Sequence, residues 1–327
     1  MTKTFRRRFL QTALAIVTAS TMPVFAQNPI PIRVANPAGD DDPIGIAAAR
    51  FAERIGELAG DAVQVRVFSR SVLGNENAAL EGTMAGNIDV DIVSNSVLRG
   101  VVPELAVLDV PYGLSSTDHA WRVLDGEVGK ILAEKVQSKG LRLAGWAYAG
   151  SRCLMTKETE VRTPDDMKGM KLRVPNNPTY ASIAEAWGTI PTTVGWPETY
   201  LALSQGVVDG IETAPGPSFD QKHYEVAKNL IKTDHLLYFH IWVISEKAWQ
   251  SWPESVQNAV FTAAQEAALY NRELRIEQEK GVYDEFASKG VTIIDPDRAQ
   301  FAARLTELQN SIDPALLSLL EQVRAAN

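Results

Sequence analysis

The sequence predicts an α/β protein of two lobes, joined by crossing segments and bridged by a long helix. Three observations predict it. The first third alternates strand and helix patterns, the order that builds a mostly parallel sheet with helices on both faces. The middle third repeats this order without any sequence period, so it is a second unit and not a tandem copy. Pro253 to about Ala287 then reads as one helical pattern rich in Ala, Glu and Gln. At about 1.5 Å per residue, some 30 residues reach roughly 45 Å, farther than one small domain is wide.

Each element has a local reason. Ile30–Ala35 reads as a strand. Pro43–Leu58 carries a helical stripe at Ile44, Ala47, Ala48, Phe51, Ile55 and Leu58, with Pro43 suited to a first turn. Residues 62–68 (AVQVRVF) alternate with period two and read as a strand. Glu76–Ala85 is helical, Ile88–Val93 extended, and Thr117–Ser138 one amphipathic helix that stops at Gly140. In the second unit, Thr163-Pro164-Asp165-Asp166 starts a helix with its acids at the positive end of the dipole. Lys171–Val174 is a strand and Thr179–Trp187 a helix ended by Gly188. Thr189–Val194 is extended, Pro197–Gln205 helical and Val207–Ile211 a short strand. Trp242–Ile244 and Val291–Ile294 are extended, and a helical stretch closes the chain.

The N-terminus points to export. Lys3, Arg6, Arg7 and Arg8 precede 17 uncharged residues, Phe9 to Phe25, and the small-residue run Val24-Phe25-Ala26. That is the layout of a secretory signal peptide over residues 1–26, too short and too rich in Thr for a membrane span. Arg6-Arg7-Arg8-Phe9-Leu10 also matches the twin-arginine export pattern. Without the leader the chain holds 40 acids and 28 bases, a formal charge of −12. Such a balance disfavours nucleic acid or an anionic membrane surface as partner. Cys153 is the single cysteine, so no internal disulfide supports the fold. Four scattered histidines show no metal-ligand spacing, and no G-x-S-x-G, P-loop or dinucleotide fingerprint occurs. No metal or other cofactor is expected, nor an enzyme.

Four stretches then carry a resemblance: VRVFSRSVLGNENAALEGTMAGNIDV, VVPELAVLDVPYGL, LDGEVGKIL, and the long run TPDDMKGMKLRVPNNPTYASIAEAWGTIPTTVGWPETYLALSQGVVDGIETAP. In this order, across most of residues 30–290, they resemble the solute-binding proteins of tripartite ATP-independent periplasmic (TRAP) transporters. The resemblance implies a two-lobed, hinged periplasmic binding protein that closes around one small organic acid and delivers it to the membrane permease subunits. It implies no catalysis. The first lobe is expected from residues 27–150 plus about 239–278, the second from about 151–238 plus 279–327.

The resemblance also places residues. Arg173, in KLRVPNNP, falls on the family's carboxylate-clamping arginine; a guanidinium offers paired N–H donors to two carboxylate oxygens. Arg152 falls on a second common arginine, with an ion pair at the hinge as its competing role. Asn176 is placed to orient Arg173 or touch the ligand, or to bond its own loop. Trp196 matches an aromatic cleft wall. Thr213 departs from the family, which commonly has an asparagine there; a hydroxyl is a single, shorter donor. Glu76, Ser94 and Asn95 fall on first-lobe positions that face the cleft, Glu76 as an acceptor for hydroxyls that would repel a second carboxylate. The Asp40–Asp42 turn, Tyr238 and His240 are further candidates. The expected ligand is a hydroxylated monocarboxylate such as a sugar acid. A C4-dicarboxylate, keto acid or aromatic acid is the alternative ligand, and a ligand sensor for a membrane kinase the alternative class.

Overall fold

Residues 28–326 are described by the computed structural model, so the expected signal peptide lies outside the described residues. The strands, in chain order, are β1 (Ile30–Ala35), β2 (Val63–Phe68), β3 (Val90–Ser94), β4 (Leu141–Ser151), β5 (Cys153–Thr156), β6 (Lys171–Val174), β7 (Ile190–Thr193), β8 (Gly210–Thr213), β9 (Asn229–Ile231), β10 (Leu237–Ser245) and β11 (Thr292–Ile294). They form two sheets, ordered β2-β1-β3-β10-β4 and β11-β9-β5-β8-β6-β7. In the first, β1 lies parallel between β2 and β3, and β10 runs antiparallel between β3 and β4. In the second, β6 lies parallel between β7 and β8.

Strand periodicity divides the core. Phe239, Ile241 and Val243 of β10 face one side, with Val93, Leu132 and Trp146. Trp242 and Ile244 face the other, with Ile32, Phe51 and Ala264. The second sheet is sandwiched likewise, Leu154 on one face and Met155 on the other. Two faces buried per sheet is the α/β arrangement.

The two sheets are joined at few places. A single residue, Arg152, separates β4 in the first sheet from β5 in the second. The chain returns between β9 and β10 beside it: Arg152 N donates to Leu236 O (2.7 Å) and His235 N to Arg152 O (3.2 Å). The sequence pattern shows little of these crossings, because β4 and β5 are buried on both faces and do not alternate.

The bridging helix is shorter than its pattern. It runs from Glu254 to Glu279, breaks at Lys280-Gly281 and resumes at Val282–Ser288. Its inner stripe is Ala259, Ala263, Ala264, Ala267 and Ala268, continued by Asn271, Arg272 and Arg275. Small side chains bring the helix onto β4; a Cβ at Gly145 would lie 2.6 Å from that of Ala268. The single helix expected over 117–138 is two helices, Thr117–Leu124 and Glu127–Gln137. The break falls where both Asp125 carboxylate oxygens accept from Arg272 (2.7 and 2.8 Å) and Gly126 turns extended. The tail also departs from its expected lobe. Phe301 and Leu305 pack in the second lobe, but the last helix, Leu317–Ala325, buries Leu319, Leu320 and Val323 in the first-lobe core.

Candidate functional site

A cavity of about 350 Å³ lies between the sheets. Its walls come from the turns after β1, β3, β6, β7 and β8, the carboxyl ends of parallel strands, where open α/β sheets leave a crevice. Of the residues the sequence singles out, Arg173, Arg152, Trp196, Thr213, Asn176, Glu76, Ser94, Asp42, Tyr238 and His240 line it.

Arg173 is buried, at 3% exposure, near the end of β6. Its Nε donates to Val194 O (2.9 Å), and its guanidinium carbon stands 5.6 Å from the Trp196 ring centroid. Among the described residues it has no carboxylate partner, while the rest of the fork faces the cavity. Burial, and then the charge of Arg152, lower its pKa to about 10, so it remains a cation at neutral pH. A buried guanidinium without a counter-ion is an anion site.

Arg152 differs. Both Nε and Nη2 donate to the Glu212 carboxylate, and Nη2 also to Glu212 O (3.0 Å). Its guanidinium lies over the rings of Tyr238 (4.3 Å) and Tyr180 (4.9 Å). Burial disfavours the Glu212 anion, yet Arg152 outweighs it and holds the carboxyl at about 2. His235 Nε2 stands 3.2 Å from the same carboxylate. Arg152 thus lines the cavity with its charge already matched, and Glu212 is a partner that the motifs did not indicate.

At the opposite wall, Glu76 Oε2 accepts from Ser94 N (2.9 Å) and Ser94 Oγ, and Ser94 Oγ lies 3.1 Å from Ser96 Oγ. Glu76 has no basic partner among the described residues, so it presents an acceptor to the cavity. Asp42 also lines the cavity, but it caps the helix Pro43–Ala59 by accepting from Ile44 N (2.7 Å) and is gripped by Arg275 Nη2 at 2.7 and 2.8 Å. Asp40 and Asp41 are exposed outside the lining. His240 is held neutral by burial, which lowers its pKa.

Two neighbours exchange the roles expected of them. Asn95 does not line the cavity. It opens the short helix Asn95–Leu98 fully buried, its Nδ2 donating to Asp109 (2.7 Å) and its Oδ1 accepting from Phe239 N (3.2 Å). Asn176 is exposed at the rim, whereas Asn177 is buried and joins the lobes. Asn177 Nδ2 donates to Ser96 O (3.1 Å) and Asp109 Oδ2 (3.0 Å), and Oδ1 accepts from Arg99 Nη1 (2.7 Å). Burial raises the Asp109 pKa to about 6, against the pull of Arg99. The pair Asn176-Asn177 gave no sign of which amide turns inward.

The sequence pattern of bacterial extracellular solute-binding protein family 7 (DctP) matches residues 34–313. The chain belongs to that family. Among family 7 relatives, the 2,3-diketo-L-gulonate-binding periplasmic protein YiaO of Escherichia coli is 31% identical over 80% of each chain. A TRAP periplasmic solute binding protein from Chromohalobacter salexigens with bound D-glucuronate is 29% identical. It superposes with a TM-score of 0.87 over 90% of this chain and 100% of that one. A TRAP periplasmic solute binding protein from Sulfurospirillum deleyianum with bound succinate is also 29% identical, with a TM-score of 0.85 over 92% and 100%. The two-lobed α/β fold and the TRAP solute-binding class are therefore those of family 7.

Proposed function

We propose that this chain captures one hydroxylated monocarboxylate, a uronate or aldonate, and delivers it to TRAP permease subunits in the periplasm. The observation that carries this reading is Arg173, a buried cation facing the cavity with no acid paired to it. One ligand carboxylate supplies the missing charge through a bidentate pair. Among the described residues of the lining, a second carboxylate meets no unpaired cation. Arg152 is matched by Glu212, Arg275 by Asp42, and the far wall offers Glu76. Burial also lowers the pKa of His223 to about 3 and that of His240, so neither supplies a charge at neutral pH. Hydroxyls suit that wall, since they donate to Glu76 while the face of Trp196 covers the carbon skeleton. Glucuronate in the Chromohalobacter relative supports the reading, and succinate in the Sulfurospirillum relative sets its rival.

Capture is a closure without covalent chemistry. The only thiol, on Cys153, is fully buried and its pKa is raised well above the usual thiol value, first by burial. We assign residues 27–150 with about 239–278 and the last helix to one lobe, and the remainder after residue 150 to the other. We also assign residues 1–26 as the export signal, with Gln27 as the mature N-terminus. The test of the ligand class is calorimetry of D-glucuronate, L-galactonate, a keto acid, succinate, malate and fumarate on one preparation. The sugar acids are expected to bind at least about tenfold tighter than the dicarboxylates, a difference of about 1.4 kcal/mol. Submicromolar succinate with no response to a sugar acid overturns the assignment.

A further inference from the structure

The Thr213 hydroxyl can equally donate or accept a hydrogen bond. What surrounds it decides which. Thr213 is buried at the end of β8, one strand from Arg173. Arg173 is opposite Ile211 in the register, so Thr213, two residues on, shares its face. Behind Thr213, Ser218 Oγ lies 3.1 Å from its Oγ1, and His223 Nδ1 lies 2.9 Å from Ser218 Oγ. All three residues are at most 1% exposed, and His223 is not part of the cavity lining. The other ring nitrogen, His223 Nε2, is buried without a hydrogen-bond partner among the described residues.

Resting on the assignment of Arg173 as the carboxylate clamp, we propose that His223, through Ser218, positions the Thr213 hydroxyl as a donor to that same carboxylate. The argument is one of proton bookkeeping. The single ring proton of neutral His223 sits on one nitrogen, and the bond made by the other side selects which. A proton on Nε2 would be a buried donor without a hydrogen-bond acceptor among the described residues, whereas a proton on Nδ1 has Ser218 Oγ at 2.9 Å. The proton therefore resides on Nδ1 and is donated to Ser218 Oγ. Ser218 then directs its own proton to Thr213 Oγ1, as its geometry allows. With the Ser218 proton turned to its oxygen, the Thr213 hydroxyl points its own proton elsewhere. Among the described residues that proton meets only Ala214 O, at 3.3 Å. A ligand carboxylate at Arg173 is the stronger acceptor. His223 and Ser218 are thus positioning residues for the Thr213 hydroxyl.

The experiment has two arms. Long-range proton–nitrogen NMR of the ligand-free protein at neutral pH, with the ring assigned by His223→Gln, is expected to show His223 protonated on Nδ1. Protonation on Nε2 overturns the proposal whatever the ligand is. The second arm titrates D-glucuronate, L-galactonate and succinate, each of which carries the carboxylate that the relay needs. For whichever binds, Thr213→Val should weaken affinity about 5- to 30-fold and Ser218→Ala about 3- to 10-fold, with the double variant no worse than Thr213→Val alone. His223→Asn, whose side-chain amide can donate as Nδ1–H does, should stay within about threefold of the parent, while His223→Phe should match Ser218→Ala. Additive losses for the double variant, or equal losses for His223→Asn and His223→Phe, overturn the relay. A preference for succinate would overturn the sugar-acid reading and leave the relay to these readouts.

Discussion

Among the described residues Arg173 makes one hydrogen bond, and most of its fork is turned to the cavity. Removing it should leave the fold intact, because the side chain contributes little to either core of the second lobe. The ligand carboxylate would instead keep its desolvation cost and lose its partner. Truncating one side of such a pair costs about 2–5 kcal/mol, so Arg173→Ala should weaken binding by roughly 30-fold to several thousand-fold in calorimetry. Arg173→Lys should also bind poorly, since an ammonium has no planar fork. Binding of Arg173→Ala within about threefold of the parent would remove Arg173 from the clamp. His223 gives a separate handle on pH. Its pKa falls from an ordinary 6.5 to about 3 by burial and then by the charge of Arg173. Because the folded value is depressed, the unfolded chain takes up the proton first as pH falls. The stability that neutral His223 contributes is therefore complete above pH 6.5 and is lost as pH falls from there towards 3. Between pH 7.5 and 5 the loss is about 2 kcal/mol. His223→Gln should show a correspondingly flatter denaturation profile over that range. An unchanged slope would mean that the ring titrates alike in the folded and unfolded chain.

The helix Glu254–Glu279 shows what an element's composition permits. Alanines at 263, 264, 267 and 268 let it lie against β4, with Gly145 as the closest point. Ala268→Leu would insert a branched side chain into a seam that has no room for one methyl more. Overpacking of this kind typically costs about 1–3 kcal/mol, and for a chain of this size about 2–4 °C of Tm per kcal/mol. A Tm within 1 °C of the parent by calorimetry would show that the seam relaxes. The elements also divide by how clearly the sequence expresses them. Pro43–Ala59 is plain, because its amphipathic stripe and the cap Asp42 agree. β4, β5 and β9 are faint, because a strand buried on both faces has no alternation to read. The long helix looks longer than it is because Lys280-Gly281 breaks a pattern whose composition does not change. In the site, motif position found Arg173 and Trp196, but Glu212 and Asn177 act through partners 60 or more residues away in sequence, which no local pattern reveals.

At the scale of the molecule, the lobes meet through thin backbone crossings and through side chains such as Asn177, which spans from the second lobe to Ser96, Asp109 and Arg99 of the first. Parting of the lobes at the cleft would break these bonds, so they weight the closed state without touching a ligand in its interior. Asn177→Ala should lower the affinity for every ligand by a similar factor, roughly 10- to 100-fold, because apparent affinity scales with the closed fraction. Solution scattering should show a smaller radius of gyration with saturating ligand than without, for parent and variant alike. Identical curves with and without ligand would count against a hinge.

The lone cysteine adds a consequence of where it sits. Cys153 follows the crossing residue Arg152 directly, wholly buried, with its sulfur 3.4 Å from Asp234 Oδ1 and 3.9 Å from Tyr283 Oη. An alkylating reagent in water reaches that sulfur only when the crossing comes apart. The labelling rate, set against that of a free thiol, is therefore a clock for how often the crossing itself opens. Lobe rotation that leaves the crossing packed does not advance that clock, so the chain carries in one atom the means to tell a swinging hinge from a melting one.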